Sequence, residues 1–208
     1  MKRIAYFTII LSSLLLLVAL CSCDSKESPA ASKKGRLSIE AQIIYNTGGP
    51  QPVARDNFYL LDADLLDVEV PKPVKGETLQ QTLMRQTPAQ GLKFTITMAQ
   101  AMEKLRGLAR EQGRELPEQP HIEGGNLKTI WLEIELLKKN KETAHHFVQV
   151  ATTDFQGRAA FENIEAGDYW IMGATQTRAD FAFWNYKVTV KPGENKVLLD
   201  QSNALYTK

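Results

Sequence analysis

Alternation of apolar and polar residues opens the readable part of the chain. Over residues 37–45, Leu37, Ile39, Ala41 and Ile43 fall on every second position, the period of a strand with one buried face. The run stops at Asn46-Thr47-Gly48-Gly49-Pro50, a dense turn signal. Residues 57–63 predict a second strand through the apolar block Phe58, Tyr59, Leu60 and Leu61. Short apolar segments then return from residue 145, and predict strands over 145–153, 158–163, 168–176, 184–191 and 195–200. Seven short strands with regular turns predict a mainly β protein built as a sandwich.

Between the second and third strands the period changes. Residues 64–126 hold Pro71, Pro73, Pro88, Pro117 and Pro120, which suit no strand interior. Within them Met98, Ala101, Met102, Leu105, Leu108 and Ala109 recur at helical spacing, with Gly113 as a natural stop. Thr97 and Gln100 fit a capping box and predict the start of that helix. Residues 127–139 fit either element. Leu127, Ile130, Trp131, Ile134 and Leu137 make a helix face, and Ile130, Leu132, Ile134 and Leu136 make a strand face. The Leu, Glu and Lys content and Asn126 as a cap favour helix. The expectation is one sandwich domain over 37–201, a helical insertion at about 65–140, and a tail at 202–208.

One segment carries turn chemistry. In Thr153-Asp154-Phe155-Gln156-Gly157, the Asp154 carboxylate can accept from backbone N–H groups ahead of it, and Gly157 can supply positive φ. Phe161 then points to the core. In Ala166-Gly167-Asp168-Tyr169, Gly167 allows a tight corner, and Tyr169 can bury its ring with its hydroxyl on backbone. These two stretches resemble the carboxypeptidase regulatory-like domain family over residues 144–199. The resemblance implies a seven-stranded prealbumin-like (transthyretin-like) sandwich. It marks fold better than activity, and the long insertion departs from a minimal member.

The N-terminus changes the count of what folds. Lys2 and Arg3 precede an uncharged stretch from Ile4 to Leu20, the layout of a secretory signal. Leu20-Cys21-Ser22-Cys23 resembles the lipobox of bacterial lipoproteins. The resemblance implies cleavage after Ser22 and acyl chains on Cys23, which would anchor the chain in the bacterial cell envelope after export across the inner membrane. An uncleaved signal anchor is the alternative. Residues 23–36 then read as lipidated cysteine and polar tether. The whole chain carries 25 basic and 24 acidic residues, a charge of +1, and loss of residues 1–22 leaves it at −1. Neither value suits an obligatory nucleic-acid partner. With Cys21 removed and Cys23 acylated, no thiol is left for a disulfide, a metal or catalysis.

Candidate chemistry is sparse. His145 and His146 are adjacent, so a strand would send them to opposite faces, and His121 is the third histidine. Asp62, Asp64 and Asp67 lack the Gly and bidentate Glu of a calcium loop. No metal, cofactor or catalytic residue is expected. Trp170, Phe181, Phe183, Trp184 and Tyr186 could form an aromatic binding surface or pack the core. The expected function is a non-enzymatic envelope lipoprotein, anchored to the membrane by lipid, whose sandwich meets a protein or glycan partner. The alternatives are a periplasmic carrier with a small-ligand pocket between the insertion helices and the sheet, and an enzyme with an unrecognised site.

Overall fold

A computed structural model describes residues 34–44, 49–72, 74–114, 125–176 and 181–207. The strands are β1 (Lys34–Ile44), β2 (Pro50–Pro52), β3 (Asn57–Leu61), β4 (Phe147–Thr152), β5 (Arg158–Glu165), β6 (Gly167–Gln176), β7 (Phe181–Val190), β8 (Gly193–Leu199) and β9 (Tyr206–Thr207). Between β3 and β4 lie three helices, α1 (Leu79–Met84), α2 (Pro88–Glu111) and α3 (Gly125–Lys139). A 3-10 turn at Ala144–His146 leads into β4.

In one sheet β1 pairs antiparallel with β5 and β2 and parallel with β8. In the other, the order β4-β3-β6-β7-β9 is antiparallel throughout. All seven expected strands are present, joined by short β2 and β9. β1 begins at Lys34, ahead of the apolar alternation, because Lys34 and Gly35 pair with Glu165 and Ile164 of β5. Within the expected tail, β9 adds to the β7 edge.

β1 buries Leu37, Ile39, Ala41 and Ile43 and turns the residues between them outward. They face Phe58, Leu60, Ile171, Ala182 and Trp184 across the sandwich. The five-stranded sheet is buried on its other face as well. Tyr59, Leu61, Met172, Ala174, Phe181 and Phe183 meet Leu92 and Ile96 of α2 and Ile130, Ile134 and Leu137 of α3. The described residues therefore form three layers: sheet, sheet, helices. A strand covered on both faces has no polar alternation, which explains the apolar block at Phe58–Leu61. Leu92, Ile130, Ile134 and Leu137 are fully buried in the helix–sheet layer, where the carrier reading sets its pocket.

Two helix boundaries were sharpened. Residues 127–139 are helical, since only one stripe meets the sheet while Leu132 and Leu136 stay exposed. α2 starts ten residues before the Thr97 expectation. Its N-cap is Thr87, whose hydroxyl accepts from the Gln90 N–H while the Gln90 side chain accepts from the Thr87 N–H, and Pro88 opens the first turn. Thr97 instead donates its hydroxyl to the Lys93 carbonyl at 2.8 Å, inside the helix. Gly113 closes α2 at φ +64°, with Arg114 N–H on the Ala109 carbonyl and Gly113 N–H on that of Arg110. That is the Schellman pattern.

Candidate functional site

The helices leave part of the outer face of β6 and β7 in contact with water. Strand alternation puts Asp168 and Trp170 of β6 on that face, beside Thr189 and Lys187 of β7, their register partners. Asn185 follows one pleat along, diagonal to Trp170. The indole of Trp170 is half-buried against the edge of the helix-side core. Lys187 Nζ lies 5.3 Å from its ring centroid and 2.8 Å from Asp168 Oδ2. Thr189 donates to Asp168 Oδ1 at 2.6 Å. Hydrogen bonds from Lys187 and then Thr189 hold the Asp168 carboxyl below the usual range.

Asn185 is the unusual member. Its Nδ2 donates to Asp64 Oδ1 at 2.8 Å, which fixes the amide orientation, and its Oδ1 is buried with no partner. A buried amide oxygen without a donor is costly. Beyond Leu61, Asp62 Oδ1 meets His146 Nδ1 at 2.7 Å. The patch thus offers an indole face, the Asp168 carboxylate and the Lys187 ammonium, while the Asn185 amide oxygen is closed to solvent. That chemistry can hold a ring with an apolar face and hydroxyl edges. It supplies no nucleophile set beside a base.

The expected aromatic surface divides. Phe181 and Phe183 are buried under the helices, and Trp184 is fully buried between the sheets. Residues 183 and 184 point to opposite faces because they are neighbours on one strand. Trp184 packs on Phe58 with centroids 5.7 Å apart, and its Nε1 donates to the Asp200 carbonyl. Tyr186 lies half-buried on the Trp184 face. Only Trp170 reaches the outer polar patch. Its neighbours Asp168, Asn185 and Lys187 were not singled out as a set from the sequence, although strand parity alone places them together.

Asp154 Oδ1 accepts from the N–H groups of Gln156 and Arg158, both at 2.8 Å. Gly157 adopts φ +75°, and a Cβ there would lie 2.3 Å from the Ala41 carbonyl oxygen. Tyr169 packs against the inter-sheet core and donates its hydroxyl to the Glu165 carbonyl at 3.0 Å. Gly167 is not required by its surroundings: its φ is ordinary and an added Cβ meets only Tyr169 at 3.7 Å.

The two histidines lie in the 3-10 turn rather than on a strand, with rings 3.9 Å apart. Asp62 and Asp64 serve separate partners, His146 and the Leu66 N–H with Asn185. No group of three metal-binding side chains occurs among the described residues. Cys23 and His121 lie outside the described residues. Between α2 and α3, Glu133 Oε1 accepts from the Thr95 hydroxyl at 3.1 Å, while Oε2 is buried without a partner. Burial pushes its carboxyl up to about 7.

No protein-family model matches the chain, and no curated protein matches it. Among solved structures it is similar to a candidate carbohydrate binding protein from Pseudomonas aeruginosa, with 16% identity and a TM-score of 0.34 over 86% of this chain and 98% of that one. It is also similar to the pilus backbone protein of Streptococcus pneumoniae, with 12% identity and a TM-score of 0.29 over 80% of this chain. The chain spans 41% of that pilus protein.

Proposed function

We propose that the protein is a non-enzymatic lipoprotein of the bacterial cell envelope whose β-sandwich, of the carboxypeptidase regulatory-like kind, recognises a glycan at the Trp170 patch. The observation that carries the binding reading is the half-buried Trp170 indole beside the exposed Asp168–Lys187 pair on one face of β6 and β7. An apolar sugar face suits the indole, and hydroxyl groups suit Asp168 and Lys187. A protein partner with a similar polar-aromatic surface is the second occupant of the same patch. Export and anchoring rest on the signal-like segment and the lipobox-like Leu20-Cys21-Ser22-Cys23. In this reading residues 1–22 are removed, Cys23 carries the lipid, and a tether of about ten residues reaches β1, at most about 35 Å when extended.

Membrane-purified chain, its intact mass first measured, should be titrated with soluble cell-wall oligosaccharides and followed by calorimetry. The expected mass lacks residues 1–22 and includes acyl chains. Expected binding falls about tenfold or more in Trp170→Ala and in Asp168→Ala. Binding unchanged in both variants, or none in the wild type, would overturn the glycan reading. A mass that retains residues 1–22 would overturn the lipid anchor alone.

A further inference from the structure

The outer face of β6 and β7 already holds an ammonium group, that of its own Lys187. Nζ stands over the Trp170 indole, 5.3 Å from the ring centroid, and 2.8 Å from Asp168 Oδ2. Two register pairs build the arrangement: Trp170 is paired with Lys187, and Asp168 with Thr189. The Thr189 hydroxyl donates to Asp168 Oδ1 at 2.6 Å, which leaves Oδ2 for the ammonium. An aromatic face and an oriented carboxylate around one ammonium are the parts that recognise an organic cation. Lys187 is held there only weakly. Its side chain is 56% exposed and that of Asp168 48%, and an exposed ion pair adds little stability. The four-carbon stem is flexible, so the ammonium can leave without moving the strands.

We propose that the glycan taken at this patch carries a protonated amine, which occupies the place of Lys187 Nζ while Lys187 swings into solvent. The inference rests on the glycan reading above and adds the charge of the ligand. Lys187 is then an internal competitor that a ligand must displace. A lysine of a protein partner would only repeat the contacts of Lys187, which is tethered in place and so present at high effective concentration. An amino sugar adds a ring face to lie on the indole and hydroxyl groups to meet Asp168 and Thr189. An acidic sugar fits less well, because it would take Lys187 from Asp168 and leave two carboxylates facing each other. One substitution separates a neutral sugar from a cationic one by sign. For a neutral sugar Lys187 is a hydrogen-bond donor, and Lys187→Met weakens binding. For a cationic sugar Lys187 is a competitor of like charge, and Lys187→Met strengthens binding.

The test is calorimetry of the membrane-purified chain with glucosamine oligomers and with their N-acetylated counterparts, which lack the charge. The free-amine form should bind the wild type, and the N-acetylated form about tenfold or more weakly. Lys187→Met should tighten the free-amine form about three- to tenfold, a gain that no folding defect produces. Asp168→Asn should weaken it about tenfold or more. Trilysine should show no binding to the wild type. Free-amine binding that Lys187→Met weakens overturns the proposal, and so does trilysine bound as tightly as the amino sugar. An N-acetylated form bound as tightly as the free amine, and weakened by Trp170→Ala, overturns the amine and leaves the glycan reading standing. Absence of binding by either form, in the wild type and in Lys187→Met alike, overturns the amine too; the glycan reading is then decided by the cell-wall oligosaccharides.

Discussion

Glu133 is the residue at which the insertion is least content. Its carboxyl lies between α2 and α3, with Thr95 on one oxygen and nothing on the other. Burial raises its folded-state value to about 7 from 4.5. A raised acid binds its proton more tightly in the folded chain than in the unfolded one. Stability from this group is therefore full below about pH 4.5 and is lost as pH climbs toward 7. Part of the side chain stays in water, so the loss is about 1 kcal/mol, well below what the shift alone implies. Glu133→Gln should melt about 2–4 °C above the wild type at pH 8, and the difference should vanish by pH 4. Equal melting at pH 8, or a gap that widens in acid, would contradict this account. The sequence offered no sign of this position, since Glu133 sits among exposed-looking Glu and Lys residues on a helix read only for its apolar face.

At the scale of the element, α2 shows what local pattern can and cannot say. Gly113 was legible as a stop because only glycine meets a left-handed position without strain. The start was not, because two Thr-x-x-Gln boxes lie ten residues apart, at Thr87 and Thr97, and both satisfy the capping rule. The choice is tertiary: Ala89, Leu92 and Ile96 of the earlier turns bury against the sheet, and that burial extends the helix back to Pro88. Thr87→Ala should cost about 1 kcal/mol in chemical unfolding, as a lost N-cap does. Thr97→Ala, at an exposed mid-helix site, should be neutral or stabilising by a few tenths of a kcal/mol. Equal losses at both positions would place the cap elsewhere. The same limit applies to the aromatic cluster. Five aromatic residues close in sequence fit a surface or a core, and β7 sends Phe183 and Trp184 to two different cores and leaves Trp170, on the neighbouring strand, as the one beside the polar patch.

For the molecule as a whole, the strand count was readable because turns and alternation are local, whereas the third layer was not, because nothing local says what a helix will cover. The insertion leaves from β3 and returns to β4, which are antiparallel neighbours with Leu61 opposite Phe147. A hairpin turn could join them, so by connectivity the helices look removable. By energetics they are not. They cover Tyr59, Leu61, Met172, Ala174 and Phe183, all of which are nearly or fully buried. Re-exposing a large apolar side chain costs about 1.5–3 kcal/mol, and several together reach the whole stability of a typical domain, about 5–15 kcal/mol. A chain with residues 65–140 replaced by a short turn should therefore bind a hydrophobic dye, lose its cooperative melt and self-associate. A monodisperse variant with a sharp transition would instead make the insertion an appendage on an independent sandwich. The distinction decides how the partner is sought: if the layers are one folding unit, a substitution such as Trp170→Ala, which leaves the buried core intact, can test the binding face, and deletion cannot.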